Sequence, residues 1–216
     1  MRQIAYAAIC AALLGLAGVS SAQAQTKPVR IVALGDSLTA GLGLPANDGF
    51  VPRLQAALAD KGIATDITNA GVSGDTASGG LARLDWSVPA GTDAVIVELG
   101  ANDMLRGMRP QVTREALDAL LRGLSGRRIA ILLCGMRAAP NLGADYSKSF
   151  EAIYPELAVK YDALLYPFFL DGVATKLDLL QSDGLHPNAI GVEMIVARIL
   201  PKVEQLIARV RARPPP

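Results

Sequence analysis

The sequence contains very few of the residues from which metal sites and disulfides are built. Among 216 residues there are one histidine, His186, and two cysteines, Cys10 and Cys134. A structural zinc ion is usually held by about four side chains, so a site made of histidine and cysteine alone cannot be assembled. We therefore expect no metal site, and any hydrolytic chemistry must come from side chains.

The chain also lacks a hydrophobic run long enough to cross a bilayer. The charge-free run at residues 4–19 has 16 residues, fewer than the roughly 20 that a spanning helix needs. Arg2 precedes it and Ala22-Gln23-Ala24 follows it, which is the arrangement of a secretory signal peptide. We predict cleavage of residues 1–24 after Ala24 and a periplasmic or secreted protein with no stable membrane anchor. An uncleaved anchor is the alternative.

Cleavage would leave Cys134 as the only cysteine and would leave neither sign of charge in excess. An intramolecular disulfide is then impossible, and Cys134 is expected to pack as a small apolar side chain. Arg2 is the only charged residue among the first 24, so the remainder carries 20 basic and 20 acidic side chains. This balance argues against nucleic acid or an anionic membrane as the main partner.

Short apolar runs recur about every 30 residues and predict five strands that are buried on both faces. The predicted strands cover residues 29–34, 63–70, 93–100, 127–135 and 162–169. Their regular recurrence, with room for a helix between each pair, indicates parallel βαβ units.

Helical patterns do lie between these runs. One has leucines at the spacing of a single helical face, namely Leu117, Leu120, Leu121 and Leu124. Another ends on Gly62, as a helix C-terminus should, and a last helix is expected from about Pro187 onward. The sequence therefore predicts an α/β protein, a three-layer α/β/α sandwich. Residues 25–210 would form one domain, and residues 211–216 a disordered tail.

Polar clusters follow several of the predicted strands. Ser37 comes directly after the first strand, residues 69–75 after the second and residues 100–103 after the third. Asp183 and His186 lie in the loop before the last helix. Because loops at the carboxyl ends of parallel strands meet at one edge of the sheet, we expect these clusters to converge there.

Together these residue types suit nucleophilic catalysis. A serine hydroxyl needs a positioned base, and His186 is the only imidazole available to Ser37. Asp183 stands three residues before His186, close enough in a turn to orient the ring. The Ser37 N–H, the Gly74 N–H and the Asn102 amide are candidate donors for an oxyanion hole.

Each residue also has an ordinary structural interpretation. Gly-Asp-Ser and Asp183-Gly184 are common turn sequences, Gly74 can be a turn glycine, and Asn102 can be a helix N-cap. His186 can be a surface residue. Asp36 and Asp103 are rival acids for orienting the histidine. It is the combination of residues that favours catalysis.

The residues that carry this combination resemble the four sequence blocks of the GDSL or SGNH hydrolases, in the same order. These are "GDSL" with Ser37, "GVSGD" with Gly74, "GAND" with Asn102 and "DGLH" with Asp183 and His186. The sequence is similar in particular to bacterial exported arylesterases and to the acyl-CoA thioesterase I group, also called lysophospholipases. The resemblance implies a flavodoxin-like sheet of five parallel strands, a serine acyl-enzyme, no cofactor, and a small acyl ester or thioester of short to medium chain length as substrate.

Chain-length preference is addressed by residues outside these blocks. The loop at residues 105–110 matches one that borders the acyl groove in the thioesterase relatives. The apolar residues that could line such a channel are Leu42, Leu44, Met104, Leu105, Met108 and Met136. Ordinary core or loop packing is the alternative for each of them.

Other functions fit the sequence less well. Residues 41–46 match a G-x-G-x-x-A dinucleotide fingerprint, but they begin well after the strand end and contain Pro45. Thr39 replaces the second glycine of the G-x-S-x-G motif of α/β-hydrolases. A carbohydrate O-acetylesterase on the same fold is the nearer alternative, and a non-catalytic flavodoxin-like binding module is an alternative of another class.

Overall fold

The computed structural model of the chain describes residues 27–213 and contains one parallel sheet of five strands. The strands are β1 (Val29–Gly35), β2 (Thr65–Gly71), β3 (Ala94–Glu98), β4 (Ala130–Cys134) and β5 (Leu164–Tyr166), in the order β2-β1-β3-β4-β5. The predicted signal peptide lies outside the described residues. The five-stranded α/β fold is confirmed.

Helices connect the strands. They are α1 (Ser37–Ala40), α2 (Phe50–Asp60), α3 (Ala77–Ala82), α4 (Leu84–Ser87), α5 (Ala101–Leu105), α6 (Pro110–Gly126), α7 (Ala144–Glu151), α8 (Ile153–Lys160) and α9 (Ala189–Arg211). Short 3₁₀ turns occur at Pro140–Leu142 and Leu177–Leu179. On one side α2 packs against α9, and on the other α3 and α8 pack against α6. The sheet is thus the middle layer of three.

The prediction that every strand is buried on both faces is wrong for the two edge strands. All residues of β3 and β4 are buried, whereas β2 has none that is fully buried and β5 has one. Asp66, Thr68 and Asn69 of β2 are exposed. Because β2 pairs only with β1 in the part of the chain that the structure describes, its outer side accepts polar residues.

The helix predictions hold, with small shifts at the ends. The leucines at positions 117, 120, 121 and 124 are fully buried on one face of α6. The last helix begins at Ala189 rather than Pro187, because the Asn188 side chain caps it by accepting from Gly191 N–H at 3.0 Å. This helix runs to Arg211, so the predicted tail boundary falls within its final turn, and residues 214–216 lie outside the described part.

Within residues 27–213 no helix is both long and apolar enough to cross a membrane. Cys134 is buried in β4, as predicted. The carboxyl ends of β1, β2 and β3 open into the three loops that carry Ser37, Gly74 and Asn102. The remaining candidates, Asp183 and His186, lie in the loop that precedes α9.

Candidate active site

The first strand ends in a tight turn that brings Ser37 to the carboxyl edge of the sheet. β1 ends at Gly35, and Ser37 is the first residue of α1. Between them, the Asp36 side chain caps α1 by accepting from Leu38 N–H at 3.0 Å. A Cβ on Gly35 would lie 2.0 Å from Thr39 Oγ1, so a larger residue would push α1 away. Gly-Asp-Ser therefore fits α1 closely onto the strand end.

His186 links Ser37 to Asp183 through its two ring nitrogens. Nε2 lies 2.9 Å from Ser37 Oγ, and Nδ1 lies 2.5 Å from Asp183 Oδ2. Because an ionised carboxylate can only accept, Nδ1 carries the hydrogen and Nε2 is left to accept from the serine hydroxyl. The arrangement is that of a nucleophile, a base and an acid that orients the base.

The loop around Asp183 stabilises its ionised carboxylate. Oδ1 accepts from His186 N–H at 3.0 Å and from Leu185 N–H at 2.9 Å. These two backbone hydrogen bonds, together with the His186 side chain, lower the pKa of Asp183 to about 2. One short turn thus supplies both the imidazole and a permanently charged partner for it.

Two of the predicted oxyanion donors are backbone N–H groups. Ser37 stands at the start of α1, where N–H groups have no partner within the helix. Gly74 lies in the turn after β2 with φ of 84°, a left-handed conformation that favours glycine. Among residues 27–213, neither of these N–H groups donates a hydrogen bond. Both are available to a substrate oxygen.

The third donor, Asn102, is held by two acceptors. It is the second residue of α5, whose N-cap is Gly100, so the N-cap interpretation is wrong. Its Nδ2 donates at 3.0 Å both to Asp36 Oδ2 and to the Asp75 carbonyl. The amide is therefore oriented by the turn that carries Ser37 and by the turn that carries Gly74. A substrate oxyanion has to compete with these acceptors for its hydrogens.

Asp183 hydrogen-bonds the His186 ring, whereas the two rival acids, Asp36 and Asp103, do not. Asp103 is fully buried and accepts from Ala77 N–H at 2.9 Å and from the Thr113 hydroxyl at 3.1 Å. Its two oxygens hold α3 and α6 against α5. Asp36 is also fully buried, and its oxygens accept from Leu38 and Asn102.

Glu98, which is not among the predicted site residues, is buried next to the turn that carries Ser37. Its Oε2 accepts from the Thr39 hydroxyl at 2.8 Å and from Asp36 N–H at 3.4 Å. Burial raises the pKa of Asp36 to about 6, and burial together with the charge of Asp36 raises the pKa of Glu98 well above its usual range. A single acid in the apolar run of β3 was the signal available in the sequence.

An apolar cavity of about 740 Å³ opens beside Ser37 and His186. Three of the six predicted channel residues line it, namely Met104, Leu105 and Met136. The other three do not. Leu42 is half exposed and its carbonyl accepts from Gln181, Leu44 packs against the core, and the Met108 carbonyl accepts from the Tyr146 hydroxyl.

The rest of the cavity wall comes from loops outside the predicted site. Residues after β4, after β5 and before α9 contribute most of it, among them Arg137, Ala138, Ala139, Pro140, Phe168, Leu170, Leu180 and Leu185. The signal was positional, because these loops leave the same edge of the sheet as the loops that carry the polar clusters.

Comparison with known proteins agrees with this geometry. Residues 33–194 match the model of the GDSL-like lipase/acylhydrolase family. The chain belongs to this family. It is 36% identical to "Esterase TesA" of Pseudomonas aeruginosa over 92% of this chain and 96% of that one. It is 40% identical to "Thioesterase 1/protease 1/lysophospholipase L1" of Escherichia coli K12, over 73% and 75% of the two chains. The crystal structure of AlinE4, an SGNH-hydrolase family esterase, superposes with a TM-score of 0.71 at 48% identity, covering 83% of this chain and 96% of that one.

As a member of the GDSL-like lipase/acylhydrolase family the protein is a carboxylic ester hydrolase. The predicted resemblance is confirmed. The family match spans all five strands except the beginning of β1, together with the four loops that carry the candidate residues. The catalytic roles of those residues and the choice of ester are proposals, which follow.

Proposed function

We propose that this esterase cleaves short- to medium-chain acyl esters and thioesters through an acyl-enzyme on Ser37. The supporting observation is the unbroken contact from Ser37 through His186 to Asp183 at the end of an apolar cavity. The TesA esterase and the thioesterase 1/lysophospholipase L1 relatives support both ester and thioester substrates for this chain.

The proposed mechanism assigns one group of the site to each step. Ser37 Oγ attacks the acyl carbonyl while His186 Nε2 takes the hydroxyl proton, and Asp183 stabilises the resulting imidazolium. The N–H groups of Ser37 and Gly74 and the Asn102 amide donate to the oxyanion. The intermediate then expels the alcohol or thiol, which takes its proton from His186. A water molecule deprotonated by His186 then attacks the Ser37 ester, and His186 returns the proton to Ser37 Oγ as the carboxylic acid is released.

The size and polarity of the cavity favour an acyl group longer than acetyl. Its volume of about 740 Å³ lies within the roughly 300–1,000 Å³ of typical ligand pockets, and most of its wall is apolar. An acetyl group would leave nearly all of this surface uncovered, whereas an aliphatic chain would bury it and gain about 25 cal/mol per Å². This favours a fatty acyl ester over an acetylated carbohydrate.

We further propose that the enzyme acts outside the cytoplasm. The support is the charged start, the 16-residue apolar run and Ala22-Gln23-Ala24 at the beginning of the sequence. Expression of the full chain in a Gram-negative host tests this. We expect the protein in the periplasmic or culture fraction with Gln25 as its first residue, and an intact N-terminus in the cytoplasm would contradict it.

The substrate proposal is tested by initial hydrolysis rates on a graded series. The panel is p-nitrophenyl acetate, butyrate, octanoate and palmitate, a medium-chain acyl-CoA and an acetylated xylo-oligosaccharide. We expect activity on aryl esters and acyl-CoA, with a maximum at short to medium chains. Activity confined to the acetylated sugar would overturn the choice of substrate and leave the mechanism standing.

Two variants serve as controls for this panel. Ser37→Ala sets the background, since it removes the nucleophile. Ser149→Ala removes an exposed serine of α7 and should match the wild type on every substrate.

A further inference from the structure

Arg83 is an arginine buried beneath the loops that carry the proposed oxyanion donors. It follows α3, and only 5% of its surface is exposed. Nε lies 2.6 Å from Asp75 Oδ2, and Nη1 donates to the Ala70 carbonyl at 2.8 Å and to Ser87 Oγ at 3.0 Å. Nη2 donates to the Gly35 carbonyl at 2.9 Å. A buried charge is tolerated only when it is paired and hydrogen-bonded in this way.

The partners of Arg83 are the chain segments that lead into the site. Gly35 ends β1 immediately before Asp36 and Ser37, and Ala70 belongs to the last residues of β2. The guanidinium therefore holds the carboxyl ends of two neighbouring strands at a fixed separation. Its planar fork carries five N–H donors in a fixed geometry, whereas a lysine has three donors on a single nitrogen and cannot span the same set of acceptors.

Asp75 extends this connection to both of the loop-borne donors. It directly follows Gly74, whose N–H is one donor, and its carbonyl accepts from Asn102 Nδ2 at 3.0 Å. Arg106 also donates to the Gly74 carbonyl at 2.7 Å, from the exposed side. The Gly74 turn is therefore held from within by the Arg83–Asp75 pair and from outside by Arg106.

We propose that Arg83 and Asp75 are positioning residues that set the oxyanion donors of Gly74 and Asn102 relative to Ser37. The inference rests on the proposed function, because it needs an oxyanion to form at this place. Donors must lie about 2.7–3.1 Å from the oxyanion, and a displacement of about 1 Å can cost about 100-fold in rate. Neither side chain touches the substrate.

The first test is Arg83→Lys, which keeps the charge opposite Asp75 and loses the fork. On p-nitrophenyl butyrate we expect kcat to fall by about 10- to 100-fold with KM changed by less than about three-fold, as for an interaction needed in the transition state. The pH profile of kcat/KM should keep its midpoint, because Asp183 and His186 lie in a different loop. An unchanged kcat would overturn the proposal.

A second pair of measurements covers the case in which Arg83→Lys does not fold. Asp75→Asn alters the other member of the pair at a side chain that is 18% exposed and should lower kcat in the same way, by about 10-fold. Arg83→Ala leaves room for a free guanidinium ion, and millimolar guanidinium should restore part of its kcat while urea should not. No loss in Asp75→Asn, or equal effects of guanidinium and urea, would contradict the positioning role.

Leu206→Ala separates positioning from general destabilisation. Leu206 is fully buried in α9, about 25 Å along the helix from its start at the active-site edge. This variant should lower Tm and keep kcat at 25 °C. If its kcat falls as far as that of Arg83→Lys at equal Tm, the role of Arg83 is merely structural. A wild type that hydrolyses no ester would instead refute the proposed function.

Discussion

Asp36, which directly precedes the proposed nucleophile, and Asp183, which contacts the proposed base, lie in opposite surroundings. Asp36 is fully buried in the turn after β1, and burial raises its pKa to about 6. Asp183 has a side chain that is 44% exposed, and hydrogen bonds from its own loop lower its pKa to about 2. The exposed loop therefore supplies the permanently charged partner of His186, while the buried turn supplies rigidity.

The ends of the strands and the loop before α9 are also held in place in different ways. The strand-end region contains Ser37, Asn102 and Glu98 and is fixed by hydrogen bonds between different strands and helices. The loop that carries Asp183 and His186, here called the histidine loop, is fixed largely by contacts within itself. One of them is the hydrogen bond from Gln181 N–H to the His186 carbonyl at 2.8 Å. We expect substitutions in the first region to change both activity and stability, and those in the second to change mainly activity.

The largest expected effect is that of removing the nucleophile or the base. Ser37→Ala and His186→Ala should each lower kcat by about 10⁴-fold or more, because the two residues act as one unit. The double variant should be no slower than the worse of the single ones. Activity within about ten-fold of wild type in either single variant would remove the mechanism.

The next effect tests the charge of the histidine loop. Asp183→Asn should lower kcat by about 10⁴-fold, because an amide no longer enforces the tautomer or stabilises the imidazolium. Circular dichroism should show an intact fold. Full activity in this variant would transfer the orienting role to Asp36 or Asp103.

A smaller loss is expected on the strand-end side. Asn102→Ala should cost about 10² to 10³ in kcat by removing one oxyanion donor. It also leaves Asp36 Oδ2 without a partner, so Tm should fall as well. A change confined to KM would contradict the donor role.

The smallest effect concerns pH. Burial raises the pKa of Asp36 from 3.8 to about 6, so the folded protein holds the proton of this carboxyl more tightly than the unfolded chain does. The free energy of unfolding therefore falls as pH rises from about 4 to about 6. Asp183 has the opposite sign, since its contribution is present above pH 3.8 and is lost as pH falls towards about 2. Asp36→Asn should make the decline between pH 4 and 6 shallower, and the part that remains belongs to Glu98, whose pKa is raised as well.

The control for this experiment is Asp60→Asn, at an exposed position at the end of α2. Tm is measured across the window for all three proteins. Asp36→Asn also loses one acceptor oxygen, which shifts its Tm by a constant amount, so the slope against pH is compared. Parallel slopes for the wild type and Asp36→Asn would show that the Asp36 carboxyl is not the titrating group.

Much of the fold and of the site could be predicted from the sequence because the relevant signals are local. The leucine face of α6 is a helical period, and Asp183 and His186 are joined by a three-residue turn. The edge strand β2 was misjudged because burial depends on which strands pair, and five apolar runs do not specify the order β2-β1-β3-β4-β5.

The parts that escaped prediction are set by contacts distant in sequence. Arg83 reaches back to Gly35, and Glu98 reaches back to Asp36 and Thr39. The cavity wall is assembled largely from the loops after β4 and β5, whereas Leu42, which is near Ser37 in the sequence, lies outside it. A charged residue inside an apolar run, as at Glu98 in β3, is the signal that could have found Glu98.

Covalent labelling tests the central claim, that Ser37 is the nucleophile activated by His186, most directly. Diethyl p-nitrophenyl phosphate phosphorylates an activated serine, releases p-nitrophenolate and leaves an adduct that does not depend on deacylation. We predict one adduct per chain, mapped by mass spectrometry to Ser37, with labelling strongly slowed in His186→Ala. An adduct on another serine such as Ser73, or equally fast labelling of Ser37 without His186, would contradict the account.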